Sequence, residues 1–198
     1  MSTSRQDLRI SERKTTLADD PRVPGKGILQ ETLVGFVTSF MAAGLMASVG
    51  VMFQKPFIFP SLGATVFLLF YRSQASGAAP RNTLVGHLIG TLAGLFALAC
   101  FGLLDAPSAF VDGMTWGRAG AAALSLGLTT ALMTGFRIPH PPAGATTLIV
   151  SLGLLSTPEE VLILMGSIGA VILIAQMTHR LFGTPYPIWR PFDEIQSK

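Results

Sequence analysis

The sequence predicts an all-α membrane protein of six membrane segments, built as two inverted repeats of three segments each. Two observations carry this prediction. Only 13% of the residues are charged, whereas soluble domains carry about 25%, and long apolar runs alternate with short polar stretches. A Pro-Gly-Ala-Thr motif also occurs once in each half of the chain, each time between two long apolar segments and behind a proline-broken linker.

The duplicated motif fixes the expected architecture. Residues 60–65 read PSLGAT and align without a gap with residues 141–146, which read PPAGAT. Proline fits the first turn of a helix, where its missing N–H has no intrahelical partner in any case. Each copy therefore predicts a helix that begins inside a hydrophobic region. Because internal repeats determine architecture, we expect the two halves to share one design.

The apolar runs divide the chain into five parts. These are a mobile polar tail (1–27), repeat 1 (28–104), an inter-repeat loop (105–116), repeat 2 (117–182) and an interfacial tail (183–198). The first apolar segment lacks a small-residue cleavage site, so we predict a mature membrane span rather than a signal peptide. Tyr186 and Trp189 give the last part the composition of a membrane interface.

The middle segment of each repeat is too short to cross a bilayer as helix alone. At about 1.5 Å per residue, an apolar stretch such as 57–70 spans roughly 21 Å, against a hydrocarbon core of about 30 Å. An extended linker of about five residues at roughly 3.3 Å each, followed by a helix, does reach across. We therefore predict a strand-like linker and then a half-helix, meaning a helix that begins near the membrane midplane.

Two topologies compete. If all six segments cross, Arg72, Arg81 and Arg137 lie inside while Lys55 and Arg118 lie outside. If the half-helices are re-entrant and only four helices cross, Arg118 lies inside, and Lys55, Arg72, Arg81 and Arg137 all lie outside. The positive-inside rule favours six crossings with both termini in the cytoplasm. We expect a bacterial inner-membrane protein whose second repeat is inverted relative to the first.

Two converging half-helix N-termini would form an anion site. Each supplies a partial positive charge and free N–H donors, and glycine in the motif lets a ligand approach the backbone. Such a small, nearly neutral site suits a small, singly charged oxyanion. The predicted substrate-binding residues are Ser61, Gly63, Ala64, Thr65, His140, Gly144, Ala145, Thr146 and Thr147.

Four further residues, His87, Lys55, Arg137 and Gln176, are candidates for a proton path or vestibule, and His140 of the predicted binding site has two interpretations. His140 either acts on the anion or its proton, or pins the Pro-Pro turn through a backbone carbonyl. His87 either extends a proton path or bonds a neighbouring helix near the cytoplasmic interface. Lys55 and Arg137 either draw in anions or anchor the chain by snorkelling. Gln176 either lines the path or forms an interhelical hydrogen bond.

Other site classes find no support in the sequence. Three histidines and one cysteine are scattered, so we expect no metal, no intrachain disulfide and no cofactor. The net charge of +3 comes mostly from residues outside the apolar runs, so we expect no nucleic-acid partner. No enzyme constellation emerges. Glycines 86, 90 and 94 form a stripe for close helix packing, either within the chain or in a homo-oligomer.

The stretch PHPPAGATTLIVSLG at 139–153, together with Pro80-Arg81-Asn82 and Gly86-His87, resembles the HPP family of integral membrane proteins. The family is named for a His-Pro-Pro signature, and the resemblance covers about residues 28–181. Members are commonly described as four-span proteins, so six segments depart from that description. Plant and cyanobacterial members are associated with nitrite transport. The resemblance therefore implies nitrite or a similar small anion as substrate.

Together these observations predict a secondary transporter or channel for a small inorganic anion, embedded in the lipid bilayer. The alternative is a membrane scaffold or anion-sensing subunit that acts through partners. An intramembrane enzyme is a third possibility, with no residue constellation to favour it.

Overall fold

A computed structural model describes residues 28–54 and 59–196, and in these residues the chain is all-helical. A short 3₁₀ turn at Ser76–Ala78 precedes α3. The helices are α1 (Ile28–Phe53), α2 (Pro60–Tyr71), α3 (Pro80–Cys100), α4 (Ala109–Asp112), α5 (Trp116–Gly135), α6 (Pro142–Ser151), α7 (Pro158–Leu181) and α8 (Phe192–Gln196).

Helix length separates two kinds of membrane element. Among the described residues, α1, α3 and α7 are long and apolar enough to cross a bilayer. Helix α5 has 20 residues, but it is rich in small and hydroxyl side chains and less apolar than the other three. Helices α2 and α6 have 12 and 10 residues. They are therefore only about 18 Å and 15 Å long. Six complete crossings and an inverted repeat stay predictions.

Proline and capping residues set the helix starts. Helices α2, α3, α6 and α7 have proline at the beginning, where its missing N–H costs nothing. At α7 the Glu160 N–H donates to the Thr157 hydroxyl over 3.3 Å, and the Glu160 carboxylate accepts from the Thr157 N–H over 3.0 Å. This reciprocal pair is a capping box.

The predicted strand-like linkers are not strands where the structure describes them. Phe136 and Arg137 form a turn after α5, and residues 138–140 are irregular. Arg137 has φ of 54°, a left-handed conformation that reverses the chain within a few residues. Most of the first linker, residues 55–58, lies outside the described residues, although Phe59 next to it is extended with φ −114° and ψ 146°.

Hydrogen bonds show which helix ends lie together. At one end, here called the tail end, the Tyr186 hydroxyl donates to the Ala78 carbonyl over 3.0 Å, and the Arg81 N–H donates to the Trp189 carbonyl over 3.0 Å. At the other end, here called the loop end, the Ala109 N–H donates to the Leu152 carbonyl over 2.9 Å. Helix α3 therefore starts at the tail end, and α6 finishes at the loop end.

Helix α6 lies along the glycine stripe of α3. A Cβ added at Gly86, Gly90 or Gly94 would come within 2.7 Å of, respectively, His140 Cβ, the Ala143 carbonyl oxygen and Val150 Cβ. Only glycine permits this approach. The prediction of a close-packing stripe is thereby confirmed, and the stripe is used within the chain.

The core and the outer surface are both apolar, as expected of a protein in lipid. Leu69 of α2, Leu98 of α3 and Leu164 of α7 are fully buried between the helices. Large apolar side chains also cover the outside, for example Phe40 and Leu173, which are 68% and 61% exposed. In a bilayer these exposed side chains contact acyl chains, so the long helices are apolar on all sides.

Candidate functional site

Two histidines meet in the interior. His87 lies in α3 and His140 lies in the linker before α6, and both are completely buried. Their Nε2 atoms are 3.1 Å apart and their ring centroids 4.7 Å apart. His140 reaches this position because Gly86 has no side chain: a Cβ there would meet the His140 Cβ at 2.7 Å. The Gly86-His87 dipeptide therefore supplies both one ring and the space for the other.

The two copies of the repeated motif converge on the His87 ring. The Thr65 hydroxyl oxygen lies 2.8 Å from His87 Nε2, and the Thr146 hydroxyl oxygen lies 2.7 Å from His87 Nδ1. Thr65 and Thr146 occupy the same position in the aligned motifs. Each half-helix thus contacts one nitrogen of a single imidazole, and that ring fills the place between the half-helices where an open anion site was predicted.

The hydrogen-bond partners assign the tautomers. His140 Nδ1 lies 2.8 Å from the Gly77 carbonyl oxygen, which can only accept, so Nδ1 carries a hydrogen. The Nε2 of a neutral His140 is then an acceptor that faces His87 Nε2. His87 Nε2–H lies within reach of both His140 Nε2 and the Thr65 oxygen, and the Thr65 hydroxyl itself donates to the Ser61 carbonyl over 2.9 Å. Thr146 then donates to His87 Nδ1, so the neutral network satisfies all four ring nitrogens.

A cavity of about 720 Å³ opens beside His140. It lies between α5, the linker, the start of α6 and α8. Its hydroxyl lining comes mainly from α5, and its charged residues come from the linker and α8. The polar lining residues are Ser76, Thr129, Thr130, Thr134, Arg137, His140, Asp193 and Glu194, and Gly144 adds backbone.

The exposed edge and the interior of this cavity differ in character. Arg137 and Asp193 are exposed, and the Glu194 carboxylate is held by the guanidinium of Arg81 through two hydrogen bonds, one of 2.8 Å. Farther in, Thr129 is 1% exposed and its hydroxyl has no hydrogen-bond partner. A buried hydroxyl without a partner is unfavourable. Because Thr129 is also one of the residues that line the cavity, its hydroxyl is a candidate donor for a ligand there.

Residues 24–187 match the family model described as HPP, transmembrane region. The match covers more than four fifths of the chain. This chain belongs to the HPP family. It is an integral membrane protein, in agreement with its three apolar helices. No curated protein sequence and no solved structure matches it significantly.

The HPP signature combines a side chain with a helix start. His140 supplies the ring, and its carbonyl accepts from the Ala143 N–H over 3.0 Å. The Pro141 carbonyl accepts from the Gly144 N–H over 3.0 Å, which completes the first turn of α6. The two prolines lack N–H groups, so fewer donors need partners at this buried helix start. The signature therefore delivers His140 at a fixed place just outside α6.

Of the remaining predicted site residues, some lie at the cavity or have buried hydroxyls, and others do not lie at the histidine pair. Gly144 lines the cavity, and the hydroxyls of Ser61 and Thr147 are buried without a partner. Gly63 and Ala64 are exposed, and Ala145 is half-buried. These three residues are not brought to the pair. Ser61 contributes its backbone carbonyl, which accepts a hydrogen bond from the Thr65 hydroxyl, rather than its own hydroxyl.

The candidates for a vestibule or proton path also differ in position. Arg137 lines the cavity and His87 is central to the site. Gln176 donates to the Ile188 carbonyl over 2.9 Å at the surface, so it binds the tail instead of a path or another span. Lys55 lies outside the described residues.

Sequence analysis missed two polar features of the HPP chain. Thr130 and Thr134 of α5 are one helical turn apart and line the cavity, and this i, i+4 spacing in an uncharged segment was the available signal. Arg118 is 2% exposed, and its guanidinium donates to the carbonyls of Ser151, Ala106 and Pro107 over 3.3, 2.9 and 2.6 Å. Arg118 thus caps the C-terminal end of α6, where a cation is favourable, at the end opposite the cavity.

Proposed function

We propose that this HPP protein is a secondary transporter or channel for a small inorganic anion, with nitrite or a similar oxyanion as cargo. The observation that carries the proposal is the cavity of about 720 Å³ that ends at Gly144 and at the buried His140. The cargo passes through unchanged, so no catalytic group is required.

The lining of the cavity supports a small anion. Arg137 at the exposed edge attracts negative charge, while the interior offers hydroxyl donors such as the unpartnered Thr129. An oxyanion binds through short hydrogen bonds from hydroxyl and N–H groups. Asp193 and Glu194 at the same edge disfavour a large polyanion, which would lie close to both carboxylates.

The directions of the half-helices support alternating access. Helix α2 ends at the tail end, where the Leu69 carbonyl accepts from His179 Nε2 over 3.0 Å. Helix α6 ends at the loop end, beside Arg118. The two half-helices therefore leave the His87 ring in opposite directions, which is the arrangement of inverted repeats around a central site. The proposal accordingly includes six crossings, an inner-membrane location and both termini in the cytoplasm.

The loop end is closed in this conformation. His87 contacts the hydroxyls of Thr65 and Thr146, and farther along α3 Gly90 and Gly94 lie in direct contact with α6. An anion in the cavity would therefore exchange with the tail end alone. Transport requires that α6 and α3 separate at the loop end while the cavity closes, a rearrangement of packed helices on the microsecond-to-second scale.

The test is flux into liposomes that contain the purified protein alone. Saturable uptake of nitrite or nitrate is expected, and it should be abolished by Gly144→Phe, because Gly144 lines the cavity and a Cβ there meets only Leu126 at 3.6 Å. Gly166→Phe on α7 is the matched control, because Gly166 is exposed with no atom within 4 Å of its added Cβ. Unchanged flux in Gly144→Phe would exclude this cavity as the site. Anion binding without any flux would favour the sensing subunit.

A further inference from the structure

We infer that the His87–His140 pair binds one proton together with each transported anion, so that transport is electroneutral proton–anion cotransport. The inference rests on the proposed function and adds the coupling ion and the group that carries it. It is drawn from the contacts of the two rings.

The geometry limits the pair to one added proton. The two Nε2 atoms face each other at 3.1 Å, and a single hydrogen fits between them. His140 Nδ1 already donates to the Gly77 carbonyl. The remaining position is His87 Nδ1, where the Thr146 hydroxyl can turn from donor to acceptor. An incoming proton therefore leaves three N–H hydrogens on four nitrogens and a single positive charge on the pair.

That charge can move between the rings, because the Thr65 oxygen lies 2.8 Å from His87 Nε2 and 3.4 Å from His140 Nε2 and can accept from whichever ring carries the hydrogen. When the hydrogen between the rings passes from His87 Nε2 to His140 Nε2, His87 keeps its Nδ1–H and becomes neutral, and His140 becomes the cation. The donor to Gly77 and the partner of Thr146 do not change. The pair thus carries a proton between a ring that lines the cavity and a ring that contacts both half-helices.

The surroundings of the pair make the proton and the anion depend on each other. Besides each other, the two rings contact the hydroxyls of Thr65 and Thr146 and the Gly77 carbonyl, all neutral groups. Helices α2 and α6 contain no Asp, Glu, Lys, Arg or His. A buried cation without a counter-ion is costly. An anion in the cavity beside His140 supplies that counter-ion, and the protonated pair in turn stabilises the anion.

Other ionisable groups near the site have different roles. Arg137, Asp193 and Glu194 line the cavity, and Glu194 is paired with Arg81 in α3. Arg118 of α5 binds carbonyls at the loop end. The third buried histidine, His179 of α7, donates to the Leu69 carbonyl and contacts Thr184. The described hydrogen bonds of the two-histidine pair include none of these side chains.

The experiment measures nitrate uptake into proteoliposomes with a pH dye inside and the membrane potential set by potassium and valinomycin. Nitrate is the probe because its acid form does not cross lipid. We expect a proton-to-anion ratio of about one and a rate that does not follow the potential. Uptake without luminal acidification, or uptake driven by the potential, would overturn the inference and leave the transporter in place. Absence of nitrate and nitrite uptake would overturn both proposals.

Two variants separate coupling from folding. In His140→Asn, the amide N–H can still donate to Gly77, but the Nε2 position is lost. We expect nitrate uptake to lose its accompanying proton and to follow the potential. In Thr146→Val, protonated His87 lacks an acceptor at Nδ1, so the pH profile of uptake should shift to lower pH. His179→Gln is the control and should keep the wild-type ratio and profile. Wild-type coupling in His140→Asn would refute the assignment.

Discussion

Gly90 offers the sharpest test of how closely α3 and α6 must pack. A methyl group at this position would stand 2.7 Å from the Ala143 carbonyl oxygen and 3.5 Å from the Thr147 nitrogen. Both are backbone atoms of α6, so no side-chain rotation relieves the contact. In Gly90→Ala, α6 must therefore move away from α3 or the backbone must deform.

The size of the effect follows from two opposing terms. The contact is roughly 0.7 Å shorter than the 3.4 Å at which ordinary van der Waals contact begins. Overpacking of this kind costs about 1–3 kcal/mol, whereas replacing a helical glycine with alanine gains up to about 1 kcal/mol in helix propensity. We expect a net loss of about 1–2 kcal/mol and a fall in melting temperature of roughly 2–8 °C.

This loss is measured as the melting temperature of the purified protein in detergent, with size-exclusion chromatography after heating as the readout. Gly166→Ala is the matched control, since α7 has open space at Gly166 and the substitution should be neutral or slightly stabilising. Anion flux should fall in Gly90→Ala as well, because Gly90 lies one turn from His87 in α3. If Gly90→Ala melts at the same temperature as Gly166→Ala, the two helices are not in the described contact.

Three other perturbations follow from the same contacts. Thr129→Val removes a buried, unpartnered hydroxyl, so the stability of the protein should stay the same or rise. The anion concentration that gives half-maximal uptake, measured from initial rates, should increase about tenfold. An unchanged half-saturating concentration would place the anion elsewhere. Arg118→Met should destabilise the protein by about 1–3 kcal/mol because three carbonyls lose their donor. Thermal unfolding in detergent measures this loss, and a wild-type melting temperature would contradict the capping role. Burial raises the pKa of the Tyr186 hydroxyl, so as the pH rises the unfolded chain loses this proton before the folded protein does. Stability should therefore fall above about pH 10. The Tyr186→Phe variant has no such proton, and its melting temperature should not show this alkaline decline.

The helix starts and the packing stripe could be predicted from the sequence because they depend on local chemistry. Pro60 and Pro142 open the two half-helices as the duplicated motif indicated, and the Thr157 capping box follows from residue types three positions apart. The glycine stripe of α3 follows from spacing alone. Each of these features is specified by residues that lie within about three helical turns of one another.

The histidine pair could not be predicted because it depends on contacts between distant segments. His87 stands seven residues after the start of α3, about 10 Å along the helix, and sequence analysis left open whether it extends a proton path or bonds a neighbouring helix near the interface. His87 is buried because the short α2 and the linker before α6 pack around it, and His140 fills the space that they leave. The cavity beside α5 has the same origin, since its lining comes from three separate parts of the chain, residue 76, residues 126–144 and residues 193–194.

The missing side chain at Gly86 has a consequence for recognising proteins that work in the same way. His140 occupies the space that any Cβ at this position would take, so the pair needs a Gly-His dipeptide in one helix as well as a His-Pro-Pro before another. In a chain with His-Pro-Pro but a larger residue before the first histidine, the added Cβ would occupy the space of the second ring, so the two rings could not touch as they do here. The Gly-His dipeptide and the His-Pro-Pro signature therefore form a two-part sequence fingerprint, with His87 and His140 separated by 53 positions in this chain. This fingerprint would separate chains that have the histidine pair from chains that do not.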